Sequence, residues 1–90
     1  MVYSEEYKRV LLGKPHCILG KEGIKEDFIE YVKKILKAHK IIKIKALKSI
    51  TVKYPIKLLA MEISQATDTN ILDIRGRKII LSKIKGEKKI

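Results

Sequence analysis

The sequence has very little of what a disulfide scaffold, a membrane anchor or a secreted protein needs. Its single cysteine, Cys17, excludes an internal disulfide and favours a reducing setting. The longest stretch without Lys, Arg, Asp or Glu is 15–20, which is far too short to span a membrane. Residues 1–6 lack the basic-then-apolar pattern of a signal peptide. These absences predict a soluble, cytoplasmic protein.

Acidic residues are also scarce. Ten Asp and Glu stand against 21 Lys and Arg, so the net charge is +11 and the pI is near 9.8. A lysine-rich surface that served only solubility and ion pairing would carry a matching number of acids. A polyanionic partner, by contrast, gains affinity by releasing counterions as each phosphate is neutralised. The charge therefore favours a nucleic-acid partner over a merely solvated surface.

Nucleophilic and metal-binding side chains are equally few. Cys17, His16 and His39 are the only thiol and imidazole groups, whereas a structural zinc site normally uses four. Cys17 lies in an apolar segment, where an inert core thiol is expected. The acids form no convincing acid–base pair. We therefore expect a protein that is not an enzyme and that uses no cofactor, metal ion or small-molecule substrate.

The hydrophobic pattern predicts one domain over residues 1–90, with a basic tail over 84–90. Helices are predicted over 5–12, 24–40 and 55–67, and strands over 16–19, 42–46, 71–74 and 78–81. The stretch 48–54 is ambiguous between a continuation of the second strand and a loop. The order α-β-α-β-α-β-β predicts a compact, two-layer α/β domain in which helices pack on a sheet.

Individual residues refine these elements. Ser4 is suited to cap the first helix, and Pro55 suits the first turn of the third. Phe28 and Tyr31 share the apolar stripe of the long second helix, so both are predicted to lie in the core. With Trp absent and only five aromatic residues in all, recognition of a nucleic-acid backbone is favoured over base-by-base reading.

Three segments carry cations where a phosphate could reach them. The loop Gly20-Lys21-Glu22-Gly23 joins a strand to a helix, so its amides can face an anion, as the GXXG loop of KH modules does. The turn Arg75-Gly76-Arg77-Lys78 brings three cations beside one glycine. In the second strand, Lys43 and Lys45 alternate with apolar residues and predict a cationic face. An ordinary strand-to-helix turn and a solvated hairpin tip remain the alternatives for the two loops.

The ordered set of these motifs resembles the CRM domain (chloroplast RNA splicing and ribosome maturation). That family opens with K-P, a strand and G-K-x-G-L, continues with H-E-L-I-K-V-K after a long helix, and closes with I-G-K-x-x-V-L-Y-R. The corresponding segments here are Lys14-Pro15, the strand and 20–24, then 39–45 and 75–83. The resemblance covers about 14–83, and the motifs occur in order at compatible spacing.

The resemblance implies a four-stranded mixed sheet, similar to the carboxy-terminal domain of bacterial translation initiation factor three. It also implies RNA binding: bacterial single-domain members associate with precursors of the large ribosomal subunit, and plant organelle members act in intron splicing. Three residues depart from the family pattern. Lys25 replaces a threonine that could cap the long helix, Asp68 replaces a glycine after the third helix, and Ser82 replaces the closing tyrosine.

The sequence thus predicts an RNA-binding protein that acts on ribosomal RNA during assembly of the large subunit. Its partner would be ribosomal RNA or a large-subunit precursor particle, with no membrane involved. The alternative is a small basic chromatin protein that coats double-stranded DNA. The predicted RNA-binding residues are the glycines and charged side chains of the segments above: Lys14, Gly20, Lys21, Glu22, Gly23, Lys25, Lys43, Lys45, Arg75, Gly76, Arg77 and Lys78.

Overall fold

Eight elements follow one another along the part of the chain that the structure describes. The computed structural model describes the backbone of residues 4–83 and the side chains of residues 7–83. The predicted basic tail and the predicted capping by the Ser4 side chain lie outside these ranges. The elements are α1 (Ser4–Leu12), β1 (Cys17–Leu19), α2 (Glu26–Ala38), β2 (Ile41–Ala46), α3 (Lys48–Thr51), α4 (Ile56–Thr67), β3 (Asn70–Arg75) and β4 (Lys78–Ser82).

The four strands form one mixed sheet in the order β1-β2-β4-β3. β1 runs parallel to β2, with Leu19 opposite Ala46, and α2 provides the crossover between them. β4 pairs antiparallel with both β2 and β3. Gly76 has φ 59° in the tight turn between β3 and β4, a backbone conformation that glycine adopts without steric cost. The α/β class and the four-stranded mixed sheet are thereby confirmed.

The main core lies between one face of the sheet and the helices α2 and α4. The alternate residues Ile42, Ile44 and Ala46 of β2 point to this side, as the strand period of two requires. From the helices, the apolar stripes contribute Val32, Leu36, Leu59, Ala60 and Ile63 to the same cluster. This packing holds α2 against the sheet, and so it positions the loop between the carboxyl end of β1 and the start of α2.

The opposite face of the sheet is covered by α1. Val10 packs with Ile41 and Ile80, and half-buried Tyr7 and Leu72 lie against this second, smaller cluster. The helix therefore adds a partial third layer to the two layers expected from the sequence. Because both faces of β2 are covered, every residue of that strand is buried except half-buried Lys45.

Two local predictions are wrong. The ambiguous stretch 48–54 is neither strand nor simple loop, because its first residues form the single-turn helix α3. Tyr31 lies outside the core with 52% of its surface exposed, whereas Phe28 packs against the main core as predicted. The stripe of α2 is therefore narrower than its sequence suggested, since only the part facing α4 and the sheet is covered.

Asp68 takes the left-handed conformation after α4, with φ 59° and ψ 51°. Aspartate tolerates this region better than most residues, so the helix ends there without the glycine of the family pattern. No helix in the described range of residues is long and apolar enough to cross a membrane.

Candidate nucleic-acid interface

The loop over residues 20–23 is a tight turn at the carboxyl end of β1. The amide of Gly23 donates to the carbonyl of Gly20 at 3.1 Å. Gly23 has φ +87°, and a Cβ built on it would lie 3.7 Å from Cδ1 of Ile50. The steric space is thus adequate, and it is the backbone angle that calls for glycine there. Lys21 and Glu22 are both exposed at the tip of the turn.

Lys25 plays a different role from the threonine of the family pattern. It stands at the N-cap position of α2 without a side-chain cap hydrogen bond. Its Nζ instead lies 3.5 Å from Oε1 of Glu22, in an exposed ion pair. That pairing offsets the Glu22 carboxylate, which is the one acidic charge in residues 20–23.

The glycine loop and the β3–β4 turn lie at the same end of the sheet. Leu19, the last residue of β1, pairs with Ala46, and the Ala46 amide donates to the carbonyl of Arg77 at 2.7 Å. The strand order places β1 and β4 on either side of β2, about 10 Å apart. Two segments more than 50 residues apart in sequence therefore lie at the same end of the sheet.

Three cations, Lys45, Arg77 and Lys78, lie close together beside the β3–β4 turn. Lys45 and Lys78 are directly opposite each other in the β2–β4 ladder, and together with Gly76 and Arg77 they line a shallow depression of about 320 Å³. Like charges facing each other across a ladder are destabilising. A bound phosphate would remove that repulsion, so the arrangement is suited to an anionic partner. We call residues 20–23, Lys45, Arg77 and Lys78, which lie at this end of the sheet, the basic edge.

Arg75 stands apart from the basic edge, although it lies in the same turn. Its Nε donates to Oδ2 of Asp73 at 2.6 Å, and the hydroxyl of Tyr7 donates to the same oxygen at 2.7 Å. The hydrogen bonds from Arg75 and Tyr7 lower the pKa of the Asp73 carboxyl. The Arg75 guanidinium is thus engaged in linking β3 to α1 through that carboxylate.

Lys43 does not contribute to an exposed cationic face, contrary to the sequence-based prediction. Only 3% of its surface is exposed, because α1 covers this side of β2. Its ammonium donates to the carbonyls of Leu11 and Gly13, at 2.9 and 2.5 Å. The Leu11 carbonyl belongs to the last turn of α1 and the Gly13 carbonyl follows that turn, so the buried lysine caps the helix. Burial, and secondarily the charge of Lys78, lower the pKa of the Lys43 ammonium.

Lys14 lies at the opposite end of the sheet from the basic edge. It lines a shallow depression with Arg9, His16 and His39, whose imidazole rings are 4.8 Å apart. Burial, followed by the charges of His39 and Lys43, lowers the pKa of His16. The structure therefore separates Lys14 from the basic edge.

The thiol and the potential metal ligands of the described residues form neither an activated cysteine nor a metal cluster. Burial raises the pKa of the Cys17 thiol to about 11, which makes it a poor nucleophile at neutral pH. Among residues 7–83, no three His, Cys, Asp or Glu side chains lie close enough to hold a metal ion.

Sequence reasoning missed an open cleft next to the glycine loop. It has a volume of about 370 Å³, and Tyr54 and Leu58 form part of its wall. The pattern around Tyr54-Pro55 contained a usable signal, since an aromatic residue immediately before a helix-starting proline is held in an extended conformation. The cleft was not predicted because the hydrophobic pattern of residues 48–54 follows neither the helix period nor the strand period.

Together these features define a small basic α/β domain with a glycine loop and a cationic edge. The sequence matches the CRS1/YhbY (CRM) domain over residues 7–83, so the chain belongs to that family, whose members are RNA-binding and generally non-catalytic. The resemblance seen in the sequence is confirmed.

One solved structure supports the fold assignment. The chain is similar to the solution structure of a hypothetical Staphylococcus aureus protein that is described as a candidate RNA-binding protein. The two are 23% identical with a TM-score of 0.66, and the match covers 94% of this chain and 88% of that one. At this identity the likeness shows a common fold. No curated protein sequence matches the chain.

Proposed function

We propose that this chain acts as a single RNA-binding domain whose basic edge contacts the phosphate backbone. The observation that carries the proposal is the convergence at one sheet end of two separate segments, the glycine loop and the Lys45–Arg77–Lys78 cluster. Phosphate contacts position a protein on nucleic acid, and they use cations and backbone amides rather than aromatic side chains. The basic edge supplies the cations.

The glycine loop contributes more than the charge of Lys21. A Cβ at Gly20 would meet no atom within 4 Å, so the backbone of the loop is open to a ligand on that side. A phosphate can therefore approach the amides before the first turn of α2, where the helix dipole favours negative charge. This local geometry distinguishes Lys21 from the lysines spread over the rest of the surface.

We further propose that the RNA is ribosomal, in a precursor of the large subunit. This rests on the membership of the CRM family and on the resemblance of the glycine loop and of the segment 39–45 to the bacterial single-domain members. Sedimentation of a cell extract tests it: we expect the protein to travel with large-subunit precursor particles. A protein that stays at the top of the gradient at low salt would contradict the ribosomal assignment.

The contact surface is tested with a matched pair of lysines. Lys21 precedes α2, whereas Lys37 is exposed near its other end, about 18 Å away along the helix axis. We expect Lys21→Ala to weaken binding of single-stranded RNA roughly tenfold at one fixed salt concentration, and Lys37→Ala less than about twofold. Circular dichroism confirms folding of both variants. Equal losses would mean that diffuse charge, rather than the loop, binds RNA.

Two further measurements characterise the same interaction. If about four to six phosphates are neutralised, the log–log slope of affinity against salt is near −3 to −4 for single-stranded RNA. Competition between structured RNA and duplex DNA at one salt concentration separates an RNA-binding protein from a chromatin protein. A slope near zero would exclude the basic edge as the interface, and preference for duplex DNA would favour the chromatin function.

A further inference from the structure

The open cleft lies between the glycine loop and the segment that connects α3 to α4. Three of the residues that line it are apolar and belong to the main core or pack against it, namely Ile24, Ile50 and Leu59. Its wall carries two large side chains that remain accessible, Tyr54 with 47% and Leu58 with 51% of their surfaces exposed. The volume of about 370 Å³ is at the low end of the range of small-ligand sites, so a single flat ring system would fit.

The charges at this cleft are balanced, unlike those of the basic edge. Two lysines, Lys21 and Lys53, line it together with two carboxylates, Glu22 and Glu62. A phosphate placed inside would be repelled by both carboxylates, whereas a neutral ring could contact the apolar lining residues and form hydrogen bonds with the polar ones. The cleft therefore suits an uncharged heterocycle, and the adjoining Lys21 suits the phosphate attached to it.

The backbone of Tyr54 is held in place by two hydrogen bonds in the turn and by the proline that follows. Its amide and the amide of Lys53 both donate to the carbonyl of Ile50, each at 3.1 Å, so the chain after α3 forms a hydrogen-bonded turn. Pro55 restricts the backbone of Tyr54 to extended conformations. A residue whose backbone is already ordered loses less entropy on binding, and the tyrosine ring offers a π-face on which any base can stack.

We propose that this cleft receives one unpaired base of the bound RNA, stacked against Tyr54, while the phosphate attached to that nucleotide lies on the glycine loop at Lys21. This inference rests on the proposed function and narrows its substrate class to single-stranded segments, since paired bases are not available for stacking in a cleft. It makes Tyr54 a binding residue in a protein whose aromatic residues are otherwise few.

The first test compares two tyrosines of similar exposure. Tyr54 lines the cleft, whereas Tyr31 lies on α2 and does not. The probe is a labelled single-stranded RNA of about ten nucleotides, alongside the same backbone with abasic nucleotides. We expect Tyr54→Ala to weaken binding of the base-containing RNA by about fivefold or more, and binding of the abasic strand by less than about twofold. We expect Tyr31→Ala to change neither, and Tyr54→Phe to retain binding because stacking needs only the ring.

The second test distinguishes base stacking from electrostatic attraction as the source of RNA affinity at the cleft. Leu58→Lys adds a cation at an exposed helix position, so a purely electrostatic interface would bind both strands more tightly. If the cleft holds a base, the same change reduces the preference for the base-containing strand over the abasic one. Circular dichroism of each variant confirms the fold.

The outcomes separate this inference from the proposed function. If the wild-type protein binds RNA in a Lys21-dependent manner but Tyr54→Ala behaves like Tyr31→Ala, the base site is overturned and the basic edge stands. An equal loss for both strands in Tyr54→Ala would assign Tyr54 a structural role and also overturn the inference. Failure of the wild-type protein to bind either strand would instead contradict the proposed function itself.

Discussion

His16 and Lys43 exchange two hydrogen bonds at the start of the parallel pair β1–β2. The amide of His16 donates to the carbonyl of Lys43 at 2.8 Å, and the amide of Lys43 donates to Nδ1 of the His16 imidazole at 3.0 Å. The ring thus takes the place of a backbone carbonyl as acceptor. Because Nδ1 can accept only when it carries no proton, this contact requires the neutral imidazole.

This contact predicts that stability depends on pH. Burial, and the neighbouring charges of His39 and Lys43, lower the pKa of His16 in the folded protein, so the unfolded chain binds a proton more readily. The stabilisation is complete above the unfolded pKa of about 6.5 and is lost as the pH falls through that value toward the folded pKa. We expect the urea concentration at the unfolding midpoint to be lower at about pH 5.5 than at about pH 7.5. In His16→Asn, which keeps an acceptor without titrating, this dependence is reduced; an unchanged pH profile would contradict the assignment.

Lys43 and Lys45 are predicted to have opposite roles although they are two residues apart. Lys43→Met leaves the carbonyls of Leu11 and Gly13 without their donor, so we expect a loss of about 1–3 kcal/mol in the free energy of unfolding. Lys45→Met should change that free energy by less than about 0.5 kcal/mol. For RNA affinity the effects are reversed, because we expect Lys45→Met to reduce it and Lys43→Met to leave it unchanged. Urea unfolding and equilibrium RNA binding measure the two effects.

The two glycines of the loop differ in whether their backbone conformation requires glycine. At Gly23, with φ +87°, an alanine would be strained, and we expect Gly23→Ala to lower the free energy of unfolding by about 1–2 kcal/mol. At Gly20 a Cβ would meet no atom within 4 Å, and its φ lies outside the positive range. Gly20→Ala is therefore the matched control, with a change of less than about 0.5 kcal/mol in urea unfolding. Equal effects would show that the turn does not depend on the angle at Gly23.

Arg75 and Arg77 flank one glycine but are predicted to differ in RNA binding. Arg75 is engaged with Asp73, whereas Arg77 lies with Lys45 and Lys78 in the basic edge. We expect Arg77→Ala to weaken RNA binding by about three- to tenfold at fixed salt, and Arg75→Ala by less than about twofold. Equilibrium binding of the two variants checks this. A greater loss for Arg75→Ala would mean that its guanidinium leaves Asp73 to reach the RNA.

The long helix and the glycine loop were predictable because their signals are local. Three- and four-residue spacing of apolar side chains identified α2 and α4, and alternation identified β2. Gly23 and Gly76 marked two turns, and both have positive φ in the structure. Such features depend on neighbouring residues alone, so no knowledge of the packing was needed.

The placement of α1 was not predictable, and it changes the roles of several residues. Because α1 covers the second face of the sheet, Lys43 is buried and caps the end of that helix. In addition, Tyr7 of α1 donates a hydrogen bond to Asp73, which also accepts one from Arg75. The alternation in β2 identified which face Lys43 occupies but could not show what covers that face. Tyr31 shows the converse, because a position on an apolar stripe is buried only where another element packs against it.

By itself the sequence determined the class of fold, the cationic character and the glycine loop, because composition and local periodicity carry that information. Only the tertiary structure decided which cations face solvent together. Lys21, Lys45, Arg77 and Lys78 lie in three separate segments, and it is the β1–β2–β4 pairing that brings those segments to one end of the sheet. The cleft at Tyr54 likewise exists because α3 and α4 pack beside the loop. Contacts between residues distant in the chain leave no periodic signal, so only the packed structure reveals them.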